Sequence, residues 1–123
     1  MVNKKIMDIY DFLNRFEEIL SNFKEKYLEH VEFHEEFLGH VFFGDDICCD
    51  IRDIAIKKDE LKLKQIFDLI ELGLSEGDDY LQEVIVITIL VGIHDNEEAW
   101  NNSKKYMKKN TIIEANKVEE SWG

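Results

Sequence analysis

The histidines and cysteines are the residues whose spacing could do chemistry. His30 and His34 lie four apart, so on a helix they share a face, with Glu32 and Glu35 nearby. Zinc sites use that spacing. The metalloprotease pattern, however, places a glutamate base directly after the first histidine, and here that residue is Val31. The expectation is therefore no metal site, with His34 half-buried in the core and His30 solvated. Cys48 and Cys49 are adjacent, which is poor geometry for a structural disulfide. On a helix they diverge by about 100°. Cys48 then leans toward the core, and Cys49 sits among Asp46, Asp50 and Asp53, surroundings that disfavour a thiolate nucleophile. There is no serine elbow, no glycine-rich phosphate loop and no CxxC pair. Carboxylates are so numerous that no one pair stands out as an acid and base. No catalytic residue and no cofactor are expected, and the chain reads as a non-enzyme.

Charge is more informative. The 123 residues carry 27 Asp and Glu against 15 Lys and Arg, a net −12. That sign disfavours nucleic acid and anionic membrane as ligands, since phosphate binding needs cations. It suits a basic protein partner, whose approach an acidic surface accelerates. The distribution is uneven. The 31 residues Asp68–Glu98 hold nine acids and no Lys or Arg, and Leu28–Asp53 hold eight acids against Arg52 alone. The cations cluster elsewhere, at Lys57, Lys58, Lys62 and Lys64, and at Lys104, Lys105, Lys108 and Lys109. Helix starts attract acids for dipole reasons, which accounts for part of the pattern at Asp45, Asp46, Asp78, Asp79 and Asp95.

These side chains have to be positioned by helices. Proline is absent and glycine numbers only 6, which fits long helices with short connections. The stretch Tyr80–Ile93, YLQEVIVITILVGI, has no polar side and is too short to span a membrane. It reads as a central helix buried all round, so that a carboxylate at Ile87 would unfold the protein. A core strand is the alternative, since valine and isoleucine favour one. Asp79 with Gln82 has capping-box spacing at its start.

Around this run, Ile6, Ile9, Tyr10, Leu13, Phe16, Leu20 and Phe23 form a helical stripe behind an N-cap at Asn3. Phe23, Tyr27, Val31, His34 and Leu38 form a second, and the spacing leaves open whether the two make one rod. Gly39–Asp46, GHVFFGDD, reads as an ordered loop, with Asp45 capping a third helix whose inner face is Ile47, Ile51, Ile54 and Ala55. Asp59 caps a fourth, with Leu63, Ile66, Phe67, Ile70 and Leu74 inward and Gly77 closing it in a left-handed conformation. Asp95 and Glu98 open a sixth segment with Trp100, Ser103 and Met107 inward. Residues 109–123 read as a last helix or a loosely docked tail. The fold class expected is all-α: residues 1–123 as a single-domain helical bundle of about five to seven helices. No export signal is visible, and the two adjacent cysteines fit a cytoplasmic protein.

Two stretches, His40–Asp45 (HVFFGD) and Ile66–Glu83 (IFDLIELGLSEGDDYLQE), make the region from Phe37 to Ile93 resemble a family of small, acidic, all-helical bacterial immunity proteins of toxin–immunity systems, including contact-dependent inhibition. Gly92–Ile93–His94 departs from that pattern, which has an acidic residue there. The resemblance implies inhibition by binding, without catalysis.

The function expected is thus neutralisation of a cognate toxin, a nuclease-like basic domain, by covering its active or substrate-binding site. The partner-binding residues would be Asp45, Asp46, Asp50 and Asp53, together with Glu76, Asp78, Asp79 and Tyr80. Phe42 and Phe43 could serve as aromatic anchors or as core. The alternatives are a non-catalytic adaptor on another basic protein and, third, a metal-dependent enzyme using His30 and His34.

Overall fold

The computed structural model describes residues 6–122. Among them there are seven helices and no strand, as an all-α single domain. Helix α1 is Ile9–Ile19 and α2 is Phe23–His34. Gly39–Phe42 opens α3, which widens into a π-helical stretch at Phe43–Ile47 and returns to α geometry over Cys48–Ile56. Helix α4 is Glu60–Glu76. Helix α5 runs through Asp79–Glu83, a second π-helical stretch at Val84–Leu90, and Val91–His94. Helices α6, Glu97–Lys104, and α7, Lys109–Trp122, complete the chain.

The boundaries follow from local chemistry. The N-cap expected at Asn3 lies outside the described residues. The cap of α1 is Asp8, in a reciprocal capping box with Asp11. Asn22, at φ 61°, turns the chain sharply between α1 and α2, so the two are separate helices and not one rod. Asp59 caps α4 as its sequence predicts, accepting the Lys62 N–H. Gly77 ends α4 for a different reason from the one expected. Its φ is −78°, not left-handed. A Cβ there would stand 2.2 Å from the Gly73 carbonyl oxygen and 2.9 Å from Leu81 Cδ2, so glycine is needed for close approach. The cap of α5 is Asp78, one residue earlier than expected, accepting the Leu81 N–H at 2.8 Å, while Gln82 donates to the Gly77 carbonyl. Likewise Asn96, not Asp95, caps α6.

The segment predicted as a loop, Gly39–Asp46, is helical. Asp45 therefore lies inside α3 and caps nothing. The reason is packing: Phe42 and Phe43 are fully buried and meet Phe12, Phe16, Phe23 and Tyr27 in an aromatic cluster. Both are core residues. Helix α5 lies at the centre, as expected, but it is not buried all round. Leu81, Val84, Ile85, Ile89, Leu90 and Ile93 are buried, whereas Ile87 is 57% exposed.

Helices α3 and α5 run parallel, since rising numbers on one meet rising numbers on the other. Tyr80 lies over Gly39, Thr88 against Gly44, and Gly92 against Cys48. Burial pushes the Cys48 thiol up to about 12, so it stays protonated as a donor. It donates to the Thr88 and Ile89 carbonyls at 3.5 and 3.6 Å, inside the π stretch, and Arg52 Nη1 donates to the Gly92 carbonyl at 2.7 Å. The Cys48 thiol thus serves carbonyls of the widened ladder, and Arg52 a carbonyl of the last α-helical turn after it.

The C-terminal residues form a docked helix, one of the two forms expected for them. Val118 and Ala115 are buried, and Glu119 accepts from Trp100 Nε1 at 2.8 Å and from Lys104 at 2.7 Å. At its start, the Glu71 carboxylate of α4 accepts both the backbone and the side-chain donors of Asn110 and Thr111, at 2.8–3.1 Å. It is an N-cap supplied from another helix. Burial alone would raise the Glu71 carboxyl, but the backbone donors of Thr111 and Asn110, then their side chains, outweigh burial and hold it below the ordinary carboxylate value.

Two predictions follow from this packing. Ile85→Asp is expected to prevent folding, because an unpaired buried carboxylate costs several kcal/mol. Ile87→Asp should leave stability within about 1 kcal/mol of wild type by urea denaturation. Glu71→Ala should cost about 1–2 kcal/mol, the scale of a lost cap, and speed amide exchange in α7. The wild-type contribution of Glu71 is present above the ordinary carboxylate pKa and is lost as pH falls through the depressed folded value. Measuring stability against pH should therefore show the two proteins converging in acid.

Candidate partner-binding face

The side chains on the outer side of the α3–α5 pair form the candidate site. Two full turns of α5 carry Tyr80, Glu83 and Ile87 on one side, spaced by three and four residues. Tyr80 is 42% exposed. Its ring stands at right angles to that of His40, centroids 5.5 Å apart. Its hydroxyl would be only 2.6 Å from a Cβ at position 39, so the ring lies across the start of α3 because that residue is glycine. His40 Nδ1 shares a hydrogen bond with Thr88 Oγ1 at 2.5 Å. Its Nε2 faces a Glu83 carboxylate oxygen at 3.6 Å.

Thr88, His40 and Glu83 have the order of a nucleophile, base and orienting acid. The backbone N–H groups around Thr88 point along the helix axis, however, and not toward a substrate oxygen at its hydroxyl. What the trio does in geometric terms is hold His40 in place, and His40 in turn holds Tyr80.

The eight residues expected to bind a partner fall into two groups. Asp45 and Asp53 are exposed on α3, and Asp79 and Tyr80 are exposed at the start of α5. Asp46 and Asp50 turn toward α2. Asp50 is ion-paired with Lys26, at 2.6 and 2.7 Å, so it is not a free surface charge. Asp78 is engaged as the α5 cap. Glu76 is half-buried at the end of α4, where its carbonyl accepts the Met7 N–H. Some of the acidic surplus is thus structural: Glu71 caps α7, and Asp68 pairs with Lys108 at 2.7 Å. His40, Glu83 and Ile87 complete the face and were missed. The spacing of Tyr80, Glu83 and Ile87 was the available signal, hidden by reading the whole apolar run as buried.

Of the two histidines, His34 is placed as expected and His30 is not. His30 is buried and His34 half-buried. His30 turns inward against Phe37 and Phe42, and its Nε2 accepts the Leu38 N–H at 3.0 Å. Among the described residues no group of three or more His, Cys, Asp or Glu side chains is placed to hold a metal ion. No described helix is long and apolar enough to cross a membrane. Cys49 is exposed and accepts from Arg52 Nη2 at 3.3 Å.

Fold and face together define an all-helical domain with an acidic, apolar-centred surface. Residues 13–123 match a family described as a domain of unknown function, DUF7674. The chain belongs to that family. No curated protein and no solved structure matches it.

His30 supplies a pH test. Burial lowers its pKa from the ordinary 6.5, the neighbouring His34 lowers it further, and Asp46 and Asp45 offset part of this. The unfolded chain therefore takes up the proton first, and stability falls as pH drops from about 6.5 toward the folded value. His30→Gln keeps an acceptor for Leu38 and removes the titration. Urea denaturation between pH 7.5 and 5.5 should show a shallower loss of stability in the variant; equal slopes would contradict the assignment.

Proposed function

We propose that the chain is an immunity protein that neutralises a basic, nuclease-like toxin domain by covering its active or substrate-binding site with the α3–α5 face. It works by binding and performs no chemistry. The observation that carries the reading is Ile87: an isoleucine in an otherwise buried run is left in solvent, with Glu83 one turn away and Tyr80 two turns away on the same side of the helix. An apolar and aromatic centre rimmed by charge is the anatomy of a protein interface. The exposed side chains Asp45, Asp53, Asp79 and Glu83 of the two helices are acidic, and acid complements the cationic cleft with which a nuclease binds phosphate. The resemblance of Phe37–Ile93 to immunity proteins supports the same reading, as does the 31-residue span without a cation.

The test uses the toxin encoded next to this chain's gene. Asp45→Lys with Asp53→Lys, and Asp79→Lys with Glu83→Lys, change only exposed side chains and should leave the fold intact. Each pair should slow association by about tenfold or more at low salt and flatten its salt dependence. Ile87→Asp should speed dissociation. At least one of these variants should fail to protect cells expressing the toxin. Wild-type association and protection in all three would overturn the proposal.

A further inference from the structure

We infer that Tyr80 and Glu83 form a recognition site for an arginine side chain of the partner, and that lysine does not substitute for it. This deepens the protein-binding reading above and rests on it. The site is built, not merely acidic. Gly39 lets the hydroxyl end of the Tyr80 ring sit against the first turn of α3, where a side chain at that position would meet the hydroxyl at 2.6 Å. His40 stands perpendicular to the ring and fixes its orientation, and is itself held by Thr88 at 2.5 Å. The ring remains 42% exposed. One turn on, the Glu83 side chain is 52% exposed, with His40 Nε2 3.6 Å from one carboxylate oxygen.

An immobilised aromatic surface beside a solvent-facing carboxylate matches the two features of a guanidinium. It is planar and stacks on an aromatic ring, and its forked N–H groups bind a carboxylate in pairs. An ammonium is a strongly hydrated point charge, and gains less from either feature. Ile87, one turn beyond Glu83, offers an apolar surface for the methylene stem or for a neighbouring apolar residue.

The experiment titrates the full-length, isotopically labelled protein with two blocked peptides of equal charge, tetra-arginine and tetra-lysine, followed by NMR. The arginine peptide should shift the resonances of Tyr80, Glu83 and His40 and bind about fivefold or more tighter than the lysine peptide. Tyr80→Leu should bring the arginine affinity down to that of lysine; Tyr80→Phe should retain the preference. Glu83→Gln removes the carboxylate and should weaken the arginine peptide more than the lysine peptide, a second route should Tyr80→Leu fail to fold. Equal affinities in the wild type, or a preference that survives both Tyr80→Leu and Glu83→Gln, would overturn the inference. Loss of the arginine site with toxin binding still sensitive to charge reversal would leave the immunity reading standing. An arginine preference in a protein that does not bind the toxin would refute that reading and leave the site.

Discussion

The fold depends on two parallel helices that approach closely where both are widened into π geometry. A π stretch misaligns carbonyls that an α-helix would satisfy within itself. Here the cost is met across the interface. A thiol kept protonated by burial, Cys48, reaches from α3 to the Thr88 and Ile89 carbonyls of that stretch, and the Arg52 guanidinium takes the Gly92 carbonyl in the α-helical turn that follows it. The run Val84–Leu90 supplies the reason for widening. Successive β-branched residues crowd one another at three- and four-residue spacing in a normal α-helix. A wider turn relieves that crowding. Ile87, exposed on the same side as Tyr80 and Glu83, lies within this stretch.

The remaining helices brace this pair. Helix α1 drives Phe12 and Phe16 into Phe43, α4 supplies the antiparallel connection, and α6 is tied to α3 by Asn102 donating to the Ala55 carbonyl. Helix α2 contributes least to the core. It buries Phe23 and His30, leaves Phe33 83% exposed, and is held to α3 by the Lys26–Asp50 pair. Surface charge on this protein therefore has two jobs. Glu71, Asp78 and Asp50 hold helices in place, while Asp45, Asp53, Asp79 and Glu83 face outward from them.

Much of this was legible from residue spacing. The helical class, the Asp59 cap, the inward face of α4 and the inward Trp100, Ser103 and Met107 all follow from periodicity. The misses share a cause. Gly39 and Gly44 read as loop signals, yet both are sites of close approach, to Tyr80 and Thr88, and only tertiary packing reveals which role a glycine has. Ile87 read as core because the whole apolar run was taken as buried, although its spacing from Tyr80 and Glu83 puts it on their exposed side. His30 read as solvated, yet its ring turns inward because it finds the Leu38 N–H, a partner set by the turn after α2. The exposure of Asp45, Asp53, Asp79 and Tyr80 could be read from the residues, whereas His40 meets Tyr80 only because parallel helices bring positions 40 and 80 together.

The strap at the start of the chain has a further consequence. Met7 donates to the Glu76 carbonyl and accepts the Asp78 N–H, pairing with Gly77 as a single rung of parallel β-bridge. Some seventy residues of chain are thereby closed into a ring whose clasp sits beside the cap of α5. Closing so long a ring late, after its helices have formed, is entropically cheaper than closing it from a disordered chain. The clasp also joins the beginning of the polypeptide to the helix that carries the exposed strip. A change at Met7 or Gly77 would therefore loosen the start of α5 as well as the end of α4.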